Sequence, residues 1–361
     1  MTRLRGAALV SALAVAAACS AFESDDSTGS SADAGAADAS APDGTTGAAD
    51  GGPPACALDP GACGERVADA RGIRALAANG RWVAWSDGPN VLACSATEPA
   101  CQPRVLCLAG LVPTSITVAQ DELTWAAEQS VYRLTIPASG EADASAMCVR
   151  PSTSVMHPGA VAGPVAADAT DVIVTLPASG TLYRCPSPAF CFPNYPPVAA
   201  KAKGGVAPIA VALDSSRFYW ASVNGLEGCA RAGGCTSPVD DLRIRFDPAA
   251  DVVGVAADSA ELLWTRQSGS IHSCPSEGCA GSPKTLATGQ RAPREIAADA
   301  QSIYWINRGD KTVMRCARVG CANPEVVGRT PGEIGLLALS STHVYFADLE
   351  NGVIRRVPKS R

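Results

Sequence analysis

The stretch Arg294-Glu-Ile-Ala-Ala-Asp-Ala-Gln-Ser-Ile-Tyr-Trp-Ile-Asn307 recurs in altered form as Val253-Gly-Val-Ala-Ala-Asp-Ser-Ala-Glu-Leu-Leu-Trp-Thr-Arg266. Five further copies can be aligned with these two, and each copy carries an aromatic or β-branched marker residue at the same place. The markers are Trp85, Trp125, Val174, Trp220, Trp264, Trp305 and Phe346. Successive markers lie 40 to 49 residues apart, so seven repeats of about 43 residues account for residues 55–361.

Each repeat is long enough for four short β-strands. In the sixth repeat we expect strands at 295–298, 302–306, 312–316 and 325–327, with Asp, Asn and Gly residues forming the turns between them. The second strand is apolar on both faces, as a sheet that lies between two others requires. Four strands in this length are typical of a β-propeller blade. Parallel β-helices have shorter repeats, and helical repeat arrays need a helical periodicity that is absent here.

The two ends of the repeat region test this interpretation. The last repeat stops after its third strand, and the segment Glu65-Arg-Val-Ala-Asp-Ala-Arg71 before the first repeat resembles the fourth-strand segment Lys284-Thr-Leu-Ala-Thr-Gly-Gln290. A strand from the N-terminal side would complete the last blade and remove an exposed sheet edge. The sequence therefore predicts an all-β fold, a seven-bladed β-propeller in which the N-terminal strand completes the last blade.

Paired aromatic residues in the second strands resemble those of the YWTD and NHL-type propellers. The pairs are Tyr219-Trp220, Tyr304-Trp305 and Tyr345-Phe346. Over about 300 residues the chain also looks like the cysteine-bearing propeller lipoproteins of high-GC Gram-negative bacteria. This resemblance is carried by architecture, so it implies the fold and leaves the function open.

Residues 1–18 have the pattern of a signal peptide, because two arginines precede an apolar stretch over residues 6–18 that is too short to span a membrane. The small residues before Cys19 resemble the lipobox of bacterial lipoproteins, in which this Cys is acylated. That resemblance implies an acyl anchor in a membrane, and Ser20 after the Cys suggests the outer membrane or cell surface. Ala16 stands where the motif usually has Leu, so a periplasmic or secreted protein without an anchor is the alternative.

Residues 19–54 are predicted to be a disordered acidic tether. The segment consists mostly of Ser, Ala, Gly, Asp, Thr and Pro, and it contains seven acids and no Lys or Arg. Such a composition cannot bury enough apolar surface to offset the entropy of ordering. These acids account for the formal net charge of −6, so residues 55–361 are nearly neutral. The 29 Lys and Arg residues exclude a nucleic-acid-binding protein that works by bulk positive charge.

The 15 cysteines are more than an ordinary cytosolic protein carries. With Cys19 set aside, fourteen remain for disulfides. Five pairs recur at the junction of the third and fourth strands: Cys94/Cys101, Cys185/Cys191, Cys229/Cys235, Cys274/Cys279 and Cys316/Cys321. Cys56 and Cys63 would close another local loop, and Cys107 and Cys148 are left for a pairing between adjacent blades. A metal site is the alternative, but pairs on different blades lie far apart and no His accompanies them, so we expect no metal.

Motifs for catalysis are scarce. Three histidines, His157, His272 and His343, occupy unlike positions in different repeats, and no nucleophile elbow, phosphate-binding loop or calcium loop is present. Propeller enzymes that resemble streptogramin lyase use a His with metal-binding acids on one face, and only His157 lies in a connection where such a site would need it. A lyase or hydrolase, with or without a metal, is therefore the alternative function. We expect no cofactor.

The first hypothesis is a non-enzymatic, monomeric binding module for a protein, a glycan or a small ligand at the cell envelope. Its site should lie where the turns between second and third strands meet the connections between blades. The candidate residues on this face are Arg266, Arg291, Arg308, Asp310, Arg329 and Asp348. Several of them are arginines, which favour an anionic partner.

Two motifs have a plainer explanation than a binding function. Arg308-Gly309-Asp310 spells an adhesion-type tripeptide at an expected hairpin tip, where Gly and Asp are also ordinary turn residues. The Trp markers suggest carbohydrate stacking, but their fixed place in the repeat favours packing between blades.

Overall fold

The computed structural model gives the repeat region an all-β architecture. The residues it describes are 63–98, 101–108, 111–137, 154–156, 161–186, 200–202, 205–232, 244–279, 282–321 and 323–359. They form 28 strands in seven four-stranded antiparallel sheets. The seven-bladed β-propeller is thereby confirmed. Among these residues, no helix has the length and apolar character needed to cross a membrane.

The first strand, β1 (Glu65–Asp69), is distant in sequence from the sheet that it joins, and the other strands follow blade by blade. Blade 1 consists of β2 (Leu76–Ala78), β3 (Trp82–Asp87), β4 (Asn90–Ser95) and β5 (Arg104–Leu108). Blade 2 consists of β6 (Ser115–Ala119), β7 (Glu122–Ala127), β8 (Ser130–Thr135) and β9 (Ser154–Met156). Blade 3 consists of β10 (Val165–Ala167), β11 (Asp171–Leu176), β12 (Thr181–Pro186) and β13 (Ala200–Lys201). Blade 4 consists of β14 (Ala210–Leu213), β15 (Arg217–Ser222), β16 (Gly225–Ala230) and β17 (Ile244–Asp247). Blade 5 consists of β18 (Val252–Ala257), β19 (Glu261–Arg266), β20 (Ser270–Pro275) and β21 (Lys284–Ala287). Blade 6 consists of β22 (Pro293–Ala298), β23 (Ser302–Asn307), β24 (Thr312–Ala317) and β25 (Glu325–Arg329), and blade 7 begins with β26 (Ile334–Leu339), β27 (His343–Asp348) and β28 (Val353–Pro358).

Strand β1 closes the ring by pairing with β28 as the fourth strand of blade 7. Glu65 lies opposite Arg356, and its carboxylate accepts two hydrogen bonds from that guanidinium at 2.8 and 2.9 Å. The first strands of neighbouring blades contact one another all the way round, so they line the centre and the fourth strands lie at the rim. The predicted closure by an N-terminal strand is confirmed.

The core consists of seven apolar clusters, each between two adjacent blades. Each marker residue belongs to one cluster and has no exposed surface. Trp305 of blade 6, for example, packs against Leu263 and Ile271 of blade 5. Burial of such large side chains is the main source of stability in this kind of interface. It also leaves no ring face for stacking on a carbohydrate, so the packing interpretation is confirmed.

Acidic residues in the turns between first and second strands link neighbouring blades. One carboxylate oxygen of Asp299 accepts backbone N–H groups from Gln301 and Ser302, both at 2.9 Å, as expected for these turns. The other oxygen pairs with Lys359 of blade 7 at 2.8 Å. Burial raises the pKa of Asp299, but the bonds from Lys359 and the turn outweigh it and hold the pKa below its usual value. Equivalent pairs between blades are Asp168–Arg231 and Asp258–Arg318.

Three of the predicted disulfides lie within the described residues. Cys94–Cys101, Cys274–Cys279 and Cys316–Cys321 join the third strand to the loop before the fourth, with Cα separations of 5.4, 5.5 and 5.1 Å. These disulfides are consistent with an extracellular or envelope protein.

Three further predicted pairs have only one member among the described residues. Cys63, Cys185 and Cys229 are each disulfide-bonded. The partners predicted for them all fall outside the described residues, and they are Cys56, Cys191 and Cys235 respectively. The pairings Cys56/Cys63, Cys185/Cys191 and Cys229/Cys235 therefore stay predictions.

Other predictions about cysteines and the chain ends are likewise untested by the described residues. Cys148 and Cys19 fall outside them, so the pairing of Cys107 with Cys148 and the acylation of Cys19 stay predictions. The same holds for the signal peptide over 1–18 and the tether over 19–54.

Candidate functional site

Each blade sends its loops to two faces of the ring. The turns between second and third strands and the connections between blades form one face, here called the loop face. The turns between first and second strands and the disulfide-bearing loops form the opposite face, here called the turn face. The predicted site residues were assigned to the loop face.

On the loop face, side chains from several blades line an open pocket of about 280 Å³ at the inner ends of blades 6, 7, 1 and 2, here called the mouth pocket. It is lined by Ile73, Arg74, Thr114, Arg308, Leu336 and Leu349. These residues come from the connections before blades 1 and 2, from the turns after β23 and β27, and from β26 itself. The pocket therefore depends on the closed ring.

The backbone around the mouth pocket is specifically shaped. The pairing of β26 with β27 shifts between Gly335 and Leu337, and the bulged residue Leu336 has a φ of 56°. A positive φ is uncommon for a residue with a branched side chain, and bulges often redirect a side chain near a functional site. Here the bulge accompanies the placement of Leu336 in the pocket wall. On the other side, the backbone N–H of Arg74 donates to Ser86 Oγ at 2.9 Å and anchors the connection.

The pocket carries positive charge that the protein only partly neutralises. Arg74 is exposed, and among the described residues its guanidinium makes no hydrogen bond or ion pair. Arg308 pairs with Glu333 at 3.1 Å, and its Nε–H is buried without an acceptor in the described part of the chain. The Thr114 hydroxyl donates to the carbonyl of Ala126 at 3.3 Å. Within the described part of the chain, the site thus presents one guanidinium without a protein partner beside another that is incompletely bonded.

The tripeptide Arg308-Gly309-Asp310 forms the turn after β23, next to the mouth pocket. Gly309 and Asp310 are exposed, as predicted. The two charged residues are engaged within the protein, since Arg308 pairs with Glu333 and Asp310 pairs with Arg291 at 3.3 Å. This turn therefore shapes the rim of the pocket.

Three other predicted face residues lie elsewhere and do not join the mouth pocket. Arg266 makes two hydrogen bonds, at 2.8 and 2.5 Å, to the fully buried carboxylate of Asp247, which also accepts the Trp264 indole N–H at 2.7 Å. Asp348 is fully buried and binds the amide of Asn351 at 3.0 Å, so it stabilises a turn and is unavailable to a ligand. The side chain of Arg329 is half-buried at the end of β25.

The histidines do not form a catalytic group in the described structure. His272 is buried, stacks on Trp264 and contacts Ser270 Oγ at 2.8 Å; burial lowers the pKa of its imidazole, and Arg266 lowers it further. His343 lies on the turn face, where burial followed by the charge of Arg356 lowers its pKa. Within the described residues, no three His, Cys, Asp or Glu side chains are grouped as metal ligands. His157 falls outside those residues.

A larger cavity of about 800 Å³ lies on the turn face between blades 6 and 7, where sequence reasoning placed no site. Its charged groups already have partners. Lys359 pairs with Asp299 at 2.8 Å, and Arg315 donates to Ser302 Oγ at 3.2 Å and to the Lys359 carbonyl at 2.8 Å. The mouth pocket is smaller, but it carries a charge for which the described structure offers no partner, and for this reason it is the stronger candidate.

Arg308 is among the face residues predicted from the sequence, and Arg74 is not. The signal was present in the repeats, because Arg74 occupies the same repeat position as Arg294, two residues before a large apolar residue of the first strand. The alignment alone did not show that these positions surround the centre of the ring.

The fold places the chain in one structural class, the repeat β-propellers. The chain is similar to virginiamycin B lyase from Staphylococcus aureus, with a TM-score of 0.57 and 12% identity over 79% of this chain and 94% of the other. It is also similar to the WD40 β-propeller domain of Doa1, with a TM-score of 0.59 and 13% identity over 82% of this chain and 97% of that one. A third similar structure is PorZ, a surface component of the type-IX secretion system of Porphyromonas gingivalis. Its TM-score is 0.55 at 10% identity, and the match covers 82% of this chain and 39% of PorZ.

These identities are low, so the likeness concerns the fold alone. No protein-family model matches the chain, and no curated protein matches it in sequence. The expected repeat β-propeller fold is confirmed, and the resemblance to bacterial lipoproteins stays a prediction. A fold of this kind supports either an interaction module or a propeller enzyme.

Proposed function

We propose that this protein is an exported, lipid-anchored propeller that acts as a non-enzymatic binding module at the cell envelope. The ring supplies a rigid frame, and the mouth pocket on its loop face supplies the binding site. The anchor at Cys19 and the acidic tether over 19–54 would hold the ring away from the membrane surface.

The single observation that carries the proposal is the guanidinium of Arg74 in the mouth pocket, which has no partner among the described residues. Elsewhere in the described ring, arginines such as Arg266, Arg318 and Arg356 are bound to carboxylates. A cation that no described residue neutralises, held in a concave site by an anchored backbone, is a ready contact for an anionic partner.

Cross-linking in intact envelopes tests the binding function. Tagged full-length protein is compared with its Arg74→Glu variant and with Arg71→Glu, a matched control. Arg71 lies on the same connection and is exposed, but it does not line the pocket. We expect at least one species to be recovered with the wild type and the control and lost with Arg74→Glu. Recovery of the same species by all three proteins would contradict the proposal.

Metabolic labelling with palmitate tests the anchor separately. The wild type should incorporate the label, and Cys19→Ala should lose it, because acylation of that Cys forms the proposed membrane attachment. Equal labelling of both proteins would contradict acylation at Cys19, and a wild type without label would favour a secreted or periplasmic protein.

A further inference from the structure

The mouth pocket combines a partly neutralised cationic rim with an aliphatic wall. Arg74 and Arg308 supply the positive groups, and Ile73, Leu336 and Leu349 supply the wall. We propose that this pocket binds a monocarboxylate carried on a short aliphatic chain. The inference rests on the proposed function, since it names the ligand class of the same site.

The charge of the pocket favours a single carboxylate. Arg74 and Arg308 contribute two positive charges, and Glu333, paired with Arg308 at 3.1 Å, contributes one negative charge. One positive charge is left over, which matches a carboxylate, whereas a phosphate monoester carries about two negative charges near neutral pH. A guanidinium offers two parallel N–H donors that fit the two oxygens of a carboxylate.

The volume of the mouth pocket and its aliphatic wall limit the group to which the carboxylate is attached. A volume of about 280 Å³ holds about nine non-hydrogen atoms if each takes the space of a water molecule. An acid with a chain as long as that of leucine has this size. Its methyl and methylene groups would pack against Ile73, Leu336 and Leu349 and leave water, which favours binding in proportion to the apolar surface buried.

Two sources supply this chemistry, a free branched-chain acid and the C-terminal residue of a peptide. Thr114 separates them, because its hydroxyl hydrogen is directed at the Ala126 carbonyl and its oxygen lone pairs remain for a ligand N–H. A peptide C-terminus carries an N–H next to its last residue, and a free acid does not. We therefore expect N-acetyl-leucine to bind more tightly than 4-methylpentanoate if the natural ligand is a peptide end, and less tightly if it is a free acid.

Titration calorimetry on the full chain tests the ligand class with N-acetyl-leucine, N-acetyl-leucinamide and N-acetylglycine. The acid should bind, and the amide should bind at least about tenfold more weakly because a charge-assisted hydrogen bond is lost. N-acetylglycine should also be at least about tenfold weaker, because it lacks the aliphatic chain. Arg74→Gln should weaken N-acetyl-leucine by a similar factor, and Arg71→Gln should leave it unchanged.

Equal affinity for the acid and the amide, or no heat with any of the three probes, would overturn the ligand class. The comparison of acid with amide uses only the wild type, so a folding defect in a variant cannot produce either result. If envelope cross-links depend on Arg74 while N-acetyl-leucine does not bind, the ligand class is wrong and the proposed binding function stands.

Discussion

At the scale of single residues, Asp258 shows how one carboxylate serves two blades. One oxygen accepts the backbone N–H groups of Ala260 and Glu261 at 2.9 and 3.0 Å, and the other pairs with Arg318 of the next blade at 2.5 Å. Burial raises the pKa of this carboxyl, but the bonds from Arg318 and the turn outweigh burial and hold the pKa below its usual value. Folding therefore favours the ionised form of Asp258.

Replacing Asp258 by Asn keeps a side-chain oxygen that can accept the N–H groups of the turn, and it removes the negative charge. We expect Asp258→Asn to lower the free energy of unfolding by about 1 kcal/mol at pH 7, measured by urea denaturation. Because the folded pKa lies below the unfolded one, this contribution is fully present above about pH 4 and is lost as the pH falls through the folded pKa. The difference between wild type and variant should therefore shrink in acid. Asp69→Asn, in an exposed pair with Arg66, is the control and should change stability by less than about 0.5 kcal/mol. A difference for Asp258→Asn that stays constant as the pH falls through the acid range, for as long as both proteins remain folded, would contradict the role of the charge.

At the scale of elements, closure of the ring depends on how β1 enters the last sheet. Gly64, directly before β1, has a φ of 73°, and a Cβ placed on it would lie 2.6 Å from the carbonyl oxygen of Arg356 on β28. Only glycine combines this conformation with so close an approach to another backbone. The entry of β1 is thus a tight backbone contact.

The variant Gly64→Ala should loosen the closure. It incurs the cost of a left-handed conformation, about 1 kcal/mol, and in addition the displacement of the β28 backbone. Gly289→Ala is the matched control, because Gly289 has a φ of 70° with no atom within 4 Å of the added Cβ. We expect Gly64→Ala to be the more destabilising of the two in urea unfolding and to speed amide exchange in β1 and β28. Equal losses in both variants would show that the contact with Arg356 contributes nothing.

The elements were predictable where a local pattern sets them. In blade 6 the four expected strands agree with β22 to β25 to within two residues at each end, because alternating apolar residues and turn-forming Asp and Gly are local signals. The bulge at Leu336 was not predicted, since it depends on how β26 fits β27. The ion pairs between blades were also missed. The basic member of each pair directly follows a third strand, and in the described pairs it is Arg231, Arg318 or Lys359. Its acidic partner lies in the preceding repeat, so no local pattern connects the two residues.

At the scale of the whole molecule, the repeat count and the closure followed from the sequence, whereas the binding pocket did not. Seven similar units that each need a neighbour to bury an apolar face have few arrangements other than a closed ring. The pocket instead brings Arg74 and Arg308 together from opposite ends of the chain, and only ring closure makes them neighbours. The sequence therefore predicts the loop face as a binding face and includes one of the two arginines of the pocket, and that face stays a prediction; the sequence did not show that Asp348, at the loop-face end of β27, is buried.

The whole ring should fold without the N-terminal segment. All 28 strands and all seven clusters between blades lie in residues 63–359, so a chain of residues 55–361 retains every described contact of the core. We expect its urea midpoint to equal that of the full chain, followed by tryptophan fluorescence. All six Trp side chains are buried in the ring and report its unfolding directly. The matched comparison is the full chain with the seven acids of the tether changed to Asn or Gln, which alters charge without shortening the protein. A lower or broader transition in the 55–361 chain alone would mean that residues 1–54 contribute to the stability of the ring. If the charge-altered full chain lost as much stability in urea as the 55–361 chain, that contribution would belong to the charge of the tether.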